Sequence, residues 1–316
     1  MAWLKQKLGP DCSAPLPASA DASFRRYFRT TRRGRSYVVM DAPPEKEDCR
    51  PFVRIAALLH AAGLHAPEIL AQDLQQGFLL LSDLGAQTYL EGFTEQNTEP
   101  LMAAALKALV KWQGASAPDV LPPYDETLLR RELELFPDWY VARHLGRDLS
   151  AEQRADWLQS CERLITRALA QARVYVHRDY MPRNLMISDP APGVLDFQDA
   201  VYGPISYDIA CLLKDAFLSW PAERVAGWRR DFWQQAQAAG LPVAADYAEF
   251  RRDFDLMGVQ RHLKVLGIFA RINYRDGKPH YLTDTPRFIR YIREIAPLYS
   301  ELMPLLRLFD QLDLRA

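Results

Sequence analysis

Three polar side chains within residues 174–200 have types and spacings that suit phosphoryl transfer. Asp179 ends the tripeptide His177-Arg178-Asp179, Asn184 follows five residues later, and Asp196 comes after a Pro- and Gly-rich turn. Short apolar runs on both sides of that turn predict a hairpin, which would bring Asn184 and Asp196 together. An Asp on a loop can orient and deprotonate an attacking hydroxyl, and an amide oxygen with a carboxylate can hold Mg²⁺ on the phosphates of ATP.

The spacing H-R-D-x-x-x-x-N is the catalytic-loop pattern of kinases, and Asp196-Phe197 stands where their magnesium-binding D-F-G stands. An isolated acidic residue on a loop is more often a turn cap. The tripeptide, the Asn, the hairpin and the second Asp in this order favour a catalytic site. We therefore predict Asp179 as the base, and Asn184 and Asp196 as the metal ligands.

The composition limits the class of protein. The chain has 316 residues with 49% hydrophobic content, which is enough for a large core and for two lobes. Lys and Arg number 39 against 40 Asp and Glu, so no global basic field predicts binding to nucleic acid or to a membrane. The four cysteines include no C-x-x-C pair, and no apolar stretch approaches the roughly 18 residues of a membrane span. With no signal peptide evident, these features predict a soluble, cytoplasmic protein without disulfides or a zinc site.

The N-terminal part predicts a basic hairpin that could cover a triphosphate. Aromatic residues are mixed with Arg25, Arg26 and Arg29, and a turn at residues 32–35 precedes a strand. The hairpin lacks the G-x-G-x-x-G of kinases, and Met40 and Asp41 stand where their phosphate-binding Lys is expected. We expect the three arginines, together with Ser23, to take over contacts with the nucleotide, although a solvated basic hairpin is an alternative.

A helix at residues 48–62 and strands at 68–71 and 77–81 complete the predicted first lobe. The second strand ends in a short linker containing Leu81 and Asp83, which we predict to be the hinge that binds the nucleotide base. Glu45 and Glu47 precede the helix, but with no Lys to pair they receive no role. We predict an N-lobe at residues 1–84 and a C-lobe at 85–316.

Helical periodicity dominates the predicted C-lobe. Asp208 is expected to cap a following helix or to brace the catalytic loop through backbone N–H groups. The predicted helical stretches are 101–113, 128–145, 151–172, 209–220, 221–257, 259–274 and 286–314.

Two segments, VHRDYMPRNLM and GVLDFQDAVYGPISYDIA, resemble the aminoglycoside phosphotransferase and choline kinase superfamily. In five more segments, DASFRRYFR, VVMDAPP, RELELFPDW, QRHLKVLGIFARINY and DGK, the chain resembles more closely the bacterial anomeric N-acetylmuramate/N-acetylglucosamine kinases of cell-wall recycling. The VMD in place of a phosphate Lys is shared with that subgroup.

This resemblance implies an α+β, bilobal, protein-kinase-like fold with a small β-rich N-lobe and a larger helical C-lobe. It also implies ATP- and Mg²⁺-dependent phosphorylation of an amino sugar at the anomeric carbon, giving an α-1-phosphate. The sugar would lie between the catalytic loop and the helical region, and we select Arg183, Glu134, Arg261 and Lys264 as substrate residues. A cation there would suit the lactyl carboxylate of N-acetylmuramate. We expect a monomer that binds neither nucleic acid nor a membrane.

Two other functions stay open from the sequence. A kinase for an aminoglycoside or choline would use an acidic pocket, which Glu132, Glu134 and Asp253 could supply and the basic residues of 251–278 oppose. A nucleotide-binding pseudokinase module is suggested only by the missing Lys. Arg261 and Lys264 could also be solvated residues on a helix face.

Overall fold

A five-stranded antiparallel sheet forms the main part of the first of two units into which the chain divides. The computed structural model describes residues 2–19 and 24–315. The first unit comprises Met1–Ala108 and Arg183–Asp199, and the second comprises Leu109–Pro182 and Ala200–Ala316. The predicted boundary between residues 84 and 85 stays a prediction.

The strands are β1 (Leu16–Ser19), β2 (Arg26–Arg32), β3 (Arg35–Asp41), β4 (Ile69–Asp73), β5 (Phe78–Ser82), β6 (Arg173–Val176), β7 (Leu185–Met186), β8 (Gly193–Val194) and β9 (Val201–Pro204). The α-helices are α1 (Ala2–Leu8), α2 (Arg50–Ala61), α3 (Tyr89–Gly92), α4 (Thr98–Gly114), α5 (Glu126–Leu133), α6 (Ala151–Ala170), α7 (Tyr207–Leu213), α8 (Ala222–Ala238), α9 (Tyr247–Asp276), α10 (Thr285–Ile295) and α11 (Met303–Gln311). A π-helix spans Phe136–His144, and short 3-10 helices span Pro182–Asn184, Pro279–Asp284, Ala296–Leu298 and Ser300–Leu302.

The sheet of the first unit has the strand order β1-β2-β3-β5-β4. The turn between β2 and β3 places Arg33 at a φ of +49° and Gly34 at +76°, which matches the right-handed twist of a hairpin. Side chains alternate between the faces of a strand. One face carries Phe28 and Val39, which pack against Leu4 of α1.

In the second unit, α9 is the central helix. It runs for 30 residues and is buried along most of its length by the π-helix, α6, α7 and α10. Its buried positions include charged side chains as well as apolar ones, among them Asp253, Arg261 and Lys264. The strands β6 and β9 pair beside this helical core and frame the loop that follows Val176.

Three predicted helices are shorter than expected. The region 128–145 divides into α5 and the π-helix, which has a proline near its start. The helix predicted to reach residue 220 ends at Leu213. The stretch 286–314 is interrupted after α10, where the 3-10 helices and prolines intervene.

Candidate active site

A buried carboxylate holds the backbone immediately before Asp179 in the second unit. Asp208, in the first turn of α7, accepts the backbone N–H of His177 at 2.7 Å and that of Arg178 at 2.9 Å. Burial raises the pKa of Asp208 to about 7, and the two N–H donors oppose this shift because they favour the charged form. Arg178 has a φ of +76°, so the chain leaves the extended conformation there. Asp208 therefore braces the predicted catalytic loop.

The side chain of Arg178 belongs to a buried ionic cluster centred on Glu132. Arg178 Nη2 lies 2.5 Å from Glu132 Oε1, and Lys264 Nζ lies 3.0 Å from the same oxygen. Tyr124 donates its hydroxyl to Glu132, and Lys264 donates to the hydroxyl of Tyr207 at 3.0 Å. Burial by itself raises the pKa of Glu132, but Lys264 and Arg178 lower it overall below the ordinary value. The cluster thus holds an ionised carboxylate and fixes the side chain that precedes the predicted base.

The two cations selected on α9 are buried. Arg261 is 2% exposed and Lys264 is 7% exposed, so the alternative that both are solvated face residues is wrong. Burial acts to lower the pKa of Arg261, but acidic groups around it, including Asp179 and Asp215, raise it overall. The predicted base and Arg261 therefore share one electrostatic environment in the second unit.

Glu134 follows the end of α5 and binds two donors. Its Oε2 accepts from Arg154 at 3.0 Å, and its Oε1 accepts from the indole of Trp157 at 3.1 Å. Its predicted contact with substrate stays a prediction.

In the first unit, the hairpin of β7 and β8 places the two predicted metal ligands side by side. Asn184 Nδ2 lies 3.5 Å from Asp196 Oδ2, and the N–H of Leu195 donates to the carbonyl of Asn184 at 2.9 Å. Gln198 Nε2 donates to Asp196 Oδ1 at 2.9 Å, and Asp196 has a φ of +58°. Amide and carboxylate oxygens are ligands that Mg²⁺ accepts, so this pair fits a magnesium site.

A cavity of about 270 Å³ lies within the first unit and includes this pair in its wall. Its volume is near the lower end of small-molecule sites, about 300 Å³. Tyr27 and Val38 line it from the face of the sheet opposite to α1. Six residues predicted from the sequence also line it, namely Arg29, Leu81, Asp83, Arg183, Asn184 and Asp196.

Arg29 and Asp83 bind each other at the wall of this cavity. Arg29 Nε lies 2.6 Å from Asp83 Oδ2, and Arg29 Nη2 also donates to the carbonyl of Gly85 at 2.7 Å. Ser36 donates its hydroxyl to Asp83 at 2.5 Å. Burial raises the pKa of Asp83, but the bonds from Arg29 and Ser36 lower it overall. The predicted hinge is thus fastened to the neighbouring strands.

The other two arginines of the hairpin have different surroundings. Arg26 is 62% exposed and pairs with Asp41. Arg25 is 12% exposed, and its Nη1 lies 3.9 Å from Glu47 Oε2. Ser23, which was predicted to act with them, lies outside the described residues.

The model of the phosphotransferase enzyme family matches residues 16–251 of this chain. The chain is 59% identical to the N-acetylmuramate/N-acetylglucosamine kinase of Pseudomonas aeruginosa. The match covers 92% of this chain and 86% of the relative. It is 48% identical to the protein of that name from Neisseria meningitidis, over 98% of this chain and 94% of the relative. The chain belongs to the phosphotransferase enzyme family.

Solved structures of other phosphotransferases share the fold. The choline kinase LicA from Streptococcus pneumoniae aligns with a TM-score of 0.65 at 12% identity, over 93% of this chain and 98% of that one. An ADP-bound aminoglycoside phosphotransferase aligns with a TM-score of 0.62 at 14% identity, over 92% of this chain and 96% of that one. The prediction of an α+β, protein-kinase-like fold is confirmed, and this protein is a phosphotransferase.

The ion pairs of two acidic residues in this phosphotransferase were not predicted from the sequence. Glu132 was considered only as a possible contact for a cationic substrate, and Glu47 was given no partner. The spacing of Glu132 three residues after Leu129 could have placed it on the buried face of α5. Nothing local in the sequence shows that Arg25 lies near Glu47. Within residues 2–19 and 24–315, no helix combines the length and apolar character that crossing a membrane requires.

Proposed function

We propose that the protein is an ATP-dependent sugar kinase that phosphorylates the anomeric hydroxyl of N-acetylmuramate and N-acetylglucosamine. The product would be the α-1-phosphate, used in peptidoglycan recycling in the cytoplasm. The observation that carries this proposal is the identity of 48–60% to three relatives named as kinases of these two sugars, over 92–98% of this chain.

The residues present suit this chemistry. Asp179 would accept the proton of the attacking hydroxyl, and the brace from Asp208 would keep its backbone in place. An anomeric hydroxyl is more acidic than an ordinary alcohol, so a modestly basic carboxylate can serve as the base. Asn184 and Asp196 would hold Mg²⁺, which when bound neutralises negative charge on the transferred phosphoryl group. Most of the rate enhancement would come from positioning and charge neutralisation.

The substrate residues remain part of the proposal. Arg261 lies in the environment of Asp179, and a buried cation there would suit the lactyl carboxylate of N-acetylmuramate. Lys264 is engaged by Glu132, so we assign it the support of the loop as well as a contact with sugar. Glu134 and Arg183 are retained as candidate sugar contacts.

Cationic substrates of the choline or aminoglycoside type receive less support. Glu132 is the most buried of the carboxylates considered for them, and it already pairs with Arg178 and Lys264. A carboxylate that is neutralised twice offers little attraction to an amine. The pseudokinase alternative is opposed by the intact Asp179, Asn184 and Asp196 in a chain that belongs to an enzyme family.

Phosphorus NMR of a reaction with ATP, Mg²⁺ and each sugar tests the proposal. A new sugar 1-phosphate signal is expected with both sugars. The methyl glycoside of N-acetylglucosamine, in which the anomeric oxygen is blocked, is the matched control and should give no product. Phosphate on another hydroxyl would keep the kinase and refute the anomeric site, and no product with either sugar would refute the substrate assignment.

A further inference from the structure

The pairing of β2 with β3 shows which side chains of the basic hairpin face the cavity. Tyr27 lies opposite Met40, and Arg29 lies opposite Val38. Directly paired residues of antiparallel strands share a face, and residues two apart on a strand also share one. Tyr27, Arg29 and Val38 all line the cavity. Arg25 lies two residues before Tyr27 and immediately before β2, so continuing this alternation by one residue places it on the cavity face.

Met40 occupies the cavity-face position at which a kinase of the V-A-I-K type carries its phosphate-binding Lys. It lies two residues after Val38 and is 1% exposed. At this position β3 therefore supplies no positively charged side chain. The start of β2 lies alongside, because Tyr27 is the direct partner of Met40, and Arg25 immediately precedes this strand.

Arg26 and Arg29 are poorly placed to substitute for that Lys. Arg26 belongs to the opposite face, together with Phe28, and its guanidinium pairs with Asp41. Arg29 lies on the cavity face, but Asp83 and the carbonyl of Gly85 bind its guanidinium at the hinge end of the strand.

The surroundings of Arg25 differ from those of Arg26 and Arg29. Its side chain is 12% exposed, with Glu47 3.9 Å away. Burial acts to lower the pKa of Arg25, but Tyr27, Glu47 and the carboxylates of Asp196 and Asp199 raise it overall. The guanidinium therefore lies within the field of the predicted metal ligand. A cation that interacts electrostatically with a metal ligand can contact the same phosphates as the metal.

We propose that Arg25 binds the nucleotide phosphates from the start of β2, in place of the Lys that kinases carry on β3, with Glu47 as its acidic partner. This inference rests on the proposed function, because it takes the cavity of the first unit to hold ATP. It selects one of the three arginines and gives Glu47 the part that a helix Glu has in the Lys–Glu ion pair of protein kinases.

Calorimetric titration of ATP and of adenosine separates phosphate recognition from base recognition without requiring turnover. We would compare Arg25→Met, Arg25→Lys and Arg26→Met with the wild type, each with Mg²⁺ and again with EDTA. Arg50→Met is the matched control, because Arg50 is 78% exposed at the start of α2 and pairs with Asp48.

In Arg25→Met we expect ATP affinity to fall by about 10- to 100-fold in both buffers, as for loss of a charge-assisted contact. Adenosine affinity should stay within about twofold, which would show that the pocket is intact. Arg25→Lys should recover part of the loss, and Arg26→Met and Arg50→Met should change ATP affinity by less than about twofold.

Equal losses in Arg25→Met and Arg26→Met, or no loss in Arg25→Met, would overturn the inference. If the wild type still forms the sugar phosphate in that case, only the role of Arg25 fails. A wild type that binds neither ATP nor adenosine would overturn the proposed function and this inference together.

Discussion

Replacing Asp179 with Asn removes the predicted base while keeping the size of its side chain. Loss of a general base costs about 10²- to 10⁴-fold in rate, and we expect kcat for both sugars to fall by that factor. The melting temperature should stay within about 2 °C, because Asn keeps the size of the side chain and Asp208 holds the loop through the backbone N–H groups of His177 and Arg178. Steady-state kinetics and thermal unfolding measure the two effects.

Asp189→Asn is the matched control for this substitution. Asp189 is exposed in the turn between β7 and β8, so the same chemical change should leave kcat unaltered. Turnover of Asp179→Asn at the wild-type rate would show that another group acts as the base.

Glu132→Gln tests the buried ionic cluster at the level of a single charge. Gln leaves Arg178 and Lys264 without their carboxylate, and breaking a buried pair costs about 3–5 kcal/mol in the free energy of unfolding. The pKa of Glu132 in the folded chain lies below its ordinary value of 4.5. Its stabilising contribution is therefore fully present above pH 4.5 and is lost as the pH falls through the folded pKa.

Urea unfolding of wild type and Glu132→Gln between pH 7 and pH 3 measures this contribution. The difference between the two proteins should be largest at pH 7 and should shrink below pH 4.5. On the same helix, Glu126 is exposed and pairs with Arg130 four residues on, so Glu126→Gln should cost less than about 0.5 kcal/mol. A difference that does not change with pH would contradict an ionised Glu132.

At the scale of elements, α7 supports the catalytic loop through the two bonds to Asp208, and Cys211 Sγ also donates to the carbonyl of Arg178 at 3.6 Å. In Asp208→Asn one oxygen still accepts an N–H, but the amide group faces the second donor. A small misplacement of a catalytic group can cost about 100-fold in rate, and we expect kcat to fall by about 10- to 100-fold. The KM for ATP should change by less than about twofold, because the described residues that line the cavity all belong to the first unit.

Steady-state kinetics of Asp208→Asn, at a temperature well below its unfolding transition, test whether kcat falls while the KM for ATP stays nearly constant. Equal changes in kcat and in the KM for ATP would indicate general loosening of the fold instead. Asp215 is a suitable comparison, because it is also fully buried but accepts the N–H groups of Phe217 and Leu218, outside the loop.

The strands, the hairpin and the catalytic loop could be predicted because their signals are local. β-Branched and aromatic residues indicate β3, and a continuous apolar run indicates β5. The spacing from Asp179 to Asn184 can likewise be read from a single sequence. The early end of α7 could not be predicted, because Asp215 forms the turn through its own side chain. The interruption after α10 was predictable from its prolines and was missed.

Contacts between residues far apart in the chain could not be predicted at all. Arg29 is 54 residues from Asp83, and Arg178 is 46 residues from Glu132. No periodicity or spacing relates such pairs. As a result, the sequence identified which residues carry charge, while the structure shows which charges are already neutralised by a neighbour.

For the whole molecule, the division into two units assigns the predicted metal ligands to the first and the predicted base to the second. The chain between Asp179 and Asn184 is only four residues long. This short connection explains why the motif is recognisable in the sequence, although its residues belong to different units.

Binding of ATP and Mg²⁺ should stabilise the chain in two separable steps. A ligand at about 100 times its Kd adds about 2.7 kcal/mol to the free energy of unfolding, which corresponds to a rise of several degrees in the melting temperature. ATP with EDTA should give part of this rise, and Mg²⁺ should add the rest through Asn184 and Asp196. In Asp196→Asn the Mg²⁺-dependent part should largely vanish while the part due to ATP alone remains. Differential scanning fluorimetry measures both, with Asp189→Asn as the matched control. An undiminished Mg²⁺ effect in Asp196→Asn would show that the metal is held elsewhere, and the assignment of the hairpin pair would then be wrong.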